Sequence, residues 1–358
     1  MTNTINTYEP ETQPKLEIST SRQFQSWLQS VQSSLIFSTY QVGKVFALGT
    51  NPDGKLHVTE RTFNRCMGLG VSADKNTFWM SSLFQLWRFE NSLPGGKFKD
   101  YDKVYIPQAA YTTGDIDIHD IMLDENERPI FVNTLFSCLA TTSESHSFKP
   151  VWKPPFISKL APEDRCHMNG LAEKDGKPAY VTIVGTSDAS DGWREHRSNG
   201  GIVMDVQTNE IVCEGLSMPH SPRWYNGKLY VLEAGTGYFG TVDFEKKKFE
   251  PITFCPGFLR GLDFIGNYAV VGMSSVRKNK TFSGLGLDDN LKKANTQARA
   301  GIQIINLETG AVENWVRLEG IIEELYDIKV LNQVHRPLLI GTHKDDIKTM
   351  ISIDDSML

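Results

Sequence analysis

Three histidines, His119, His167 and His220, each stand at the head of the same pattern: a short apolar run, a turn rich in Asp, Gly, Asn or Lys, and a β-rich run. Ile118-His119-Asp120-Ile121-Met122-Leu123 leads through Asp124-Glu125-Asn126-Glu127 into Ile130-Phe131-Val132-Asn133-Thr134. Cys166-His167-Met168-Asn169-Gly170-Leu171-Ala172 leads through Lys174-Asp175-Gly176-Lys177 into Tyr180-Val181-Thr182. Pro219-His220-Ser221-Pro222-Arg223-Trp224 leads through Asn226-Gly227-Lys228 into Leu229-Tyr230-Val231-Leu232-Glu233. If such units surround an axis, equivalent positions meet on it, and three imidazoles at one point form a transition-metal ligand set. Neutral imidazole suits iron, zinc, copper or manganese, and three such ligands leave positions open for water, dioxygen or substrate.

Other residues on the same face would complete an active site. Glu233 or Asp120 would orient an imidazole or act as a base. Arg223, Arg260 and Arg277 would hold a carboxylate or phosphate by forked hydrogen bonds, with Arg194, Asn133 and Asn169 as further substrate contacts. Each residue also has a structural reading. A histidine at a strand start is satisfied by a neighbouring carbonyl, and Arg223 and Arg260 can brace sheets through carboxylate partners. A metal-free polar site and a structural network therefore stand beside the metal centre. Glu163-Asp164-Arg165 reads as a solvated turn. No Gly-x-Ser-x-Gly or P-loop competes, and no dinucleotide fingerprint opens a helix, since Gly235-Thr236-Gly237 sits in an all-β context.

The elements that must position these residues recur along the chain. The second apolar run of each unit begins near Leu35, Phe78, Ile130, Tyr180, Leu229, Ala269 and Leu338. A spacing of about 40 to 55 residues, stretching to nearly 70 before the last, is that of four-stranded propeller blades. The expected fold is an all-β propeller. Seven candidate runs point to seven blades; six follow if the first and last segments share one by ring closure. Residues 1–20 read as a flexible tail and residues 21–358 as one propeller domain. Ser21 is the expected N-cap of a short helix that buries Phe24, Trp27 and Leu28. The stretch from Phe282 to Ala300 is the expected mobile insert.

Composition narrows the functional classes. Against 37 Lys and Arg stand 43 Asp and Glu, and no basic run suggests a nucleic-acid partner. The five cysteines are odd in number, dispersed and without a C-x-x-C pair, as free thiols in a reducing compartment would be. The polar N-terminus has no leader character and no stretch is long enough for a membrane span, so the expected location is the cytoplasm. The expected partner is a small-molecule or peptide substrate, with a protein partner on the arginine-rich face as the alternative.

The motifs Cys166-His167-Met168-Asn169-Gly170-Leu171-Ala172, Met218-Pro219-His220-Ser221-Pro222-Arg223-Trp224 and Pro256-Gly257-Phe258-Leu259-Arg260-Gly261-Leu262 resemble those of a bacterial family of conserved hypothetical proteins defined as a domain of unknown function. The resemblance runs from about Phe24 to the C-terminus and implies a propeller with no established reaction. Where that family leads one to expect Cys-Gly before a late strand, this chain has Ala300-Gly301. Asn169-Gly170-Leu171-Ala172 with Asp175-Gly176 is also similar to the blade motif of gluconolactonase-like propellers. That likeness implies calcium as an alternative metal, held by Asn133, Asn169 and Glu233, in a hydrolase. The histidine register resembles instead the carotenoid oxygenase propellers, whose axial iron is held by histidines.

Overall fold

Runs that are apolar throughout must be covered on both faces, whereas runs that alternate need cover on one. The computed structural model, which describes residues 15–93, 98–275, 284–343 and 345–353, places the two kinds accordingly. Second strands such as Ser33–Thr39 and Thr77–Ser81 are buried along their whole length. Outer strands such as Leu56–Thr62 and Lys248–Phe254 show one face to solvent.

Six sheets form a closed ring, a six-bladed β-propeller. The inner strands, from blade 1 to blade 6, are Ile328–Asn332, Leu69–Val71, Ile118–Leu123, Met168–Lys174, Pro219–Tyr225 and Phe258–Ile265. Blade 1 is the joint. Its inner strand comes from the C-terminal part of the chain and pairs antiparallel with Ser33–Thr39, with Leu35 opposite Val330. The seven-blade expectation is thereby corrected to six. The segment at Leu338 is no blade of its own; Pro337–Leu339 lies parallel to Lys103–Thr112 as an extra outer strand of blade 2. Glu17–Thr20 similarly adds a fifth, antiparallel strand to blade 6. Both ends of the chain thus tie one blade to another, and ring closure leaves only short outer edges.

The core lies between neighbouring blades. Met122 and Val132 of blade 3 meet Met168, Leu171 and Val181 of blade 4, for example, and fully burying each such side chain contributes about 1.5–3 kcal/mol. The helix Phe24–Ser30 inserts Phe24, Trp27 and Leu28 into the cluster formed by blades 6 and 1. Ser21 does not cap it through its side chain. Its hydroxyl donates to Asn314 Oδ1 at 2.7 Å, and only its carbonyl receives the Phe24 N–H. Within the expected 282–300 insert, Gly286–Lys293 is an amphipathic helix that buries Leu287 and Leu291; the start of that insert lies outside the described residues. All five cysteines are free and buried.

Candidate functional site

Inner strands in a propeller run along the channel, so their side chains reach the axis only where the pleat permits. Register shifts occur between Met168 and Gly170, between His220 and Arg223, and between Leu259 and Leu262, in three consecutive blades. Such bulges re-aim side chains. Asp117, Asp164, His167 and Met218 also hold left-handed backbone conformations just before or at these strands, a recurrent feature of functional sites.

The histidines cluster at one mouth, here termed the upper one. The rings of His119 and His167 meet edge to face with centroids 5.1 Å apart. His119 Nδ1 donates to the Asp117 carbonyl at 3.0 Å and toward Thr134 Oγ1 at 2.8 Å, which itself donates to the Met168 carbonyl. His220 repeats the first contact, donating from Nδ1 to the Met218 carbonyl two residues back at 2.9 Å. His167 uses a carboxylate instead: Nδ1 donates to Asp164 Oδ2 at 2.8 Å, and the same oxygen accepts the Trp193 indole N–H. Trp193 stacks on the His167 ring at 4.1 Å. These acceptors assign the neutral-ring proton of all three imidazoles to Nδ1, leaving Nε2 as a lone pair.

The three lone pairs have different surroundings. Asn169 Nδ2 donates to His220 Nε2 at 3.3 Å, while Asn169 Oδ1 accepts from Thr182. Among the described residues no hydrogen-bond partner meets Nε2 of His119 or His167. Burial pushes the His119 imidazole down to about 3, against the pull of Asp117 and with reinforcement from His167 and Arg260. Burial, followed by Arg260, pushes His220 well below the ordinary histidine range. Burial alone would raise Asp117, but His119, His167, Arg65 and Arg260 hold its carboxyl below the usual carboxylate range.

Arg260 lies at this same mouth. Its guanidinium sits 4.5 Å over Tyr326 and 5.5 Å from the Phe258 ring centre, and Tyr326 in turn packs against His119. Among the described residues Arg260 has no ion pair or hydrogen bond. The buried Tyr326 hydroxyl has no hydrogen-bond partner there either, and burial pushes its pKa well up, so it remains a donor. A small cleft bounded by Phe258, Arg260, Glu324 and Tyr326 opens beside them.

The remaining expected site residues sit elsewhere. Asp120 and Arg223 form a forked pair with each other, at 2.7 and 3.0 Å, deeper in the channel. Asp120 is not placed to serve as a base, because its oxygens also accept the Ile121 and Leu171 N–H groups. Arg223 also donates to the Leu171 and Leu262 carbonyls, which makes it a brace across blades 4, 5 and 6. Glu233 accepts from Ser217 N–H and the Thr236 hydroxyl, fastening a loop rather than an imidazole. Asn133 caps a turn through Phe136 N–H, although its buried Nδ2 has no partner. Arg194 pairs with Asp191 on the exposed side of Trp193. Arg277 lies outside the described residues.

Metal centres require ligands to converge. Two imidazoles bound through Nε2 to one zinc, at about 2.0–2.1 Å each, have ring centres roughly 5 Å apart, the spacing of His119 and His167. His220 does not complete the set, since the Asn169 amide covers its lone pair. Among the described residues no group of three or more His, Cys, Asp or Glu side chains is placed to hold a metal ion. The alternative oxygen set, Asn133, Asn169 and Glu233, has its oxygens engaged in three separate local contacts. Three members of the site, Asp117, Asp164 and Tyr326, escaped sequence reasoning. Asp164 sits in a turn that reads as solvated, and Tyr326 precedes a strand whose place in the ring depends on closure; the Asp-x-His spacing of Asp117 and His119 was the readable signal.

Fold and site define a six-bladed propeller with an imidazole cluster at its upper mouth, beside an arginine, Arg260, that has no ion pair among the described residues. The chain belongs to the family described as a domain of unknown function, DUF4915, whose profile matches residues 22–340. No curated protein matches the chain. Among solved structures, one titled as a nidogen/laminin complex is 10% identical, with 84% of this chain and 99% of that chain covered and a TM-score of 0.54; it shares the fold. A protein of unknown function from Bacteroides caccae is 10% identical over 84% of this chain and 98% of its own, with a TM-score of 0.47. Virginiamycin B lyase from Staphylococcus aureus is 14% identical over 72% and 96%, with a TM-score of 0.39.

Proposed function

We propose that the upper mouth binds a small organic anion and carries out proton transfer on it. The observation that carries this reading is the pairing of two uncovered imidazole lone pairs, on His119 and His167, with an arginine that lacks an anionic partner among the described residues. Arg260 would take the carboxylate or phosphate of the ligand by a forked contact. His167 would accept a proton at Nε2, and the imidazolium so formed would be stabilised by Asp164 at Nδ1. The Tyr326 hydroxyl would donate a hydrogen bond to charge that develops on the ligand. The test screens small carboxylates and phosphate esters by thermal shift, then follows each hit in D2O by proton NMR. Wild type should bind and exchange a ligand C–H for deuterium, Arg260→Met should lose binding, and His167→Gln should keep binding without exchange. Deuterium exchange undiminished in Arg260→Met would overturn the reading.

A second reading keeps a transition metal, because the spacing of His119 and His167 suits one. His220 would join only if the Asn169 amide turned away, and no catalytic step is built on that arrangement. Elemental analysis of protein purified without a nickel column decides it. Less than about a tenth of an equivalent of any transition metal, unchanged in His167→Ala, would remove this reading.

A further inference from the structure

The opposite mouth of the channel contains a second cavity, of about 480 Å3, to which all six blades contribute. That volume lies in the range of small-molecule pockets, roughly 300–1,000 Å3. Val71, Ile121 and Leu171 line it together with Arg223 and Asp263, and two amines enter it, Lys75 and Lys329. Lys329 is buried, yet its charged neighbours Asp120 and Asp327 stand at 4.0 and 3.8 Å, beyond hydrogen-bond reach. Those carboxylates are engaged by backbone N–H groups: Asp120 by Ile121 and Leu171, Asp327 by Leu69 and Ile328. Asp263, also on the wall, is likewise taken up by Phe264 and Val330 N–H groups. Lys75 donates to the Ser72 carbonyl at 3.2 Å. Burial pushes the Lys75 amine down, and the like charge of Lys329 adds to that effect against Asp263 and Asp74.

Two ammonium groups with unfilled donor capacity, facing one cavity and repelling each other, are relieved by an anion placed between them. We propose that the lower mouth is a second ligand site, which binds a compact oxyanion, carboxylate or phosphate, between Lys75 and Lys329. Glu125, Glu127 and Glu173 at the opening restrict the ligand to small anions, since a long polyanion would meet their charge. The lining of this site shares no residue with that of the cleft at the upper mouth.

The experiment is calorimetric titration of the full chain with inorganic phosphate and with succinate, at ionic strength matched by KCl. Saturable binding of at least one anion is expected, weakened about tenfold in Lys75→Met, as loss of a charged hydrogen bond implies. Arg260→Met, which alters only the upper mouth, should lose any binding event there and keep the Lys75-dependent event at wild-type affinity. Lys75 is the residue to vary because it stands in a turn and has no ion-pair role in the fold, whereas removing Lys329 would disturb Asp120 and Asp327. No saturable binding of either anion below about 20 mM would overturn the proposal. So would affinities all unchanged in Lys75→Met, or a Lys75-dependent event that is lost in Arg260→Met.

Discussion

The neutrality of the buried histidines has a measurable cost in acid. In the folded protein His119 titrates near 3, because burial opposes its charged form, whereas in the unfolded chain it titrates at the ordinary value of 6.5. A depressed histidine contributes stability that is present above the unfolded value and lost as pH falls toward the folded one. At pH 5 the unfolded His119 is almost wholly protonated and the folded one almost wholly neutral. The difference is RT ln(1 + 10^1.5), about 2 kcal/mol of lost stability relative to a chain without this histidine. Asp327 acts in the opposite sense. Burial raises its carboxyl to about 6, so it favours the folded state as pH drops from 7 to 5 and masks part of the loss.

Comparison with a variant isolates the histidine. Urea unfolding of wild type and His119→Gln at pH 7 and pH 5 shares the Asp327 contribution, so the difference in pH dependence between the two proteins belongs to His119. Wild type should lose about 2 kcal/mol more than the variant between those pH values. Parallel pH profiles for the two would refute the reasoning, since His119 would then be free to take a proton in the folded state.

Further predictions concern the scaffold. Arg223→Met leaves the buried Asp120 carboxylate without its forked partner and should cost about 3–5 kcal/mol; Arg223→Met with Asp120→Asn should cost less than the sum of the single changes, read from a double-mutant cycle. Gly170→Ala would put a Cβ 2.3 Å from Pro222 Cδ and 2.5 Å from Thr182 Oγ1, so the seam between blades 4 and 5 should open at a cost of about 3 kcal/mol in urea unfolding. The five buried thiols, pushed upward by burial as Cys66 is to about 12, should ignore a thiol reagent at pH 8 in the native protein and react together in urea.

Much of the architecture was legible because second strands are covered on both faces. Leu35, Phe78, Ile130, Tyr180, Leu229 and Ala269 all begin such runs, and each falls in the second strand of a blade. Leu338 has the same local composition but occupies a three-residue strand at an outer edge, a difference that pairing decides and composition does not. The shared position of His119, His167 and His220 likewise survived, since equivalent positions in neighbouring blades share a mouth. What a run of letters cannot carry is depth along the channel. His220 and Arg223 stand three residues apart, but a bulge between them and up to about 10 Å of strand rise send one to the mouth and the other to the interior.

The interior level follows a rule of its own. Asp120, Asp263 and Asp327 each accept the N–H of the next residue with Oδ1 and the N–H of the neighbouring blade's inner strand with Oδ2. Three seams of the ring, between blades 3 and 4, 6 and 1, and 1 and 2, are thus joined by a carboxylate that replaces a missing sheet bond. The joints at Asp120 and Asp327 bury a carboxylate, and these require cations nearby. Arg223 and Lys329 occupy that position, so the carboxylates that complete the ring also hold the cations that line the channel wall.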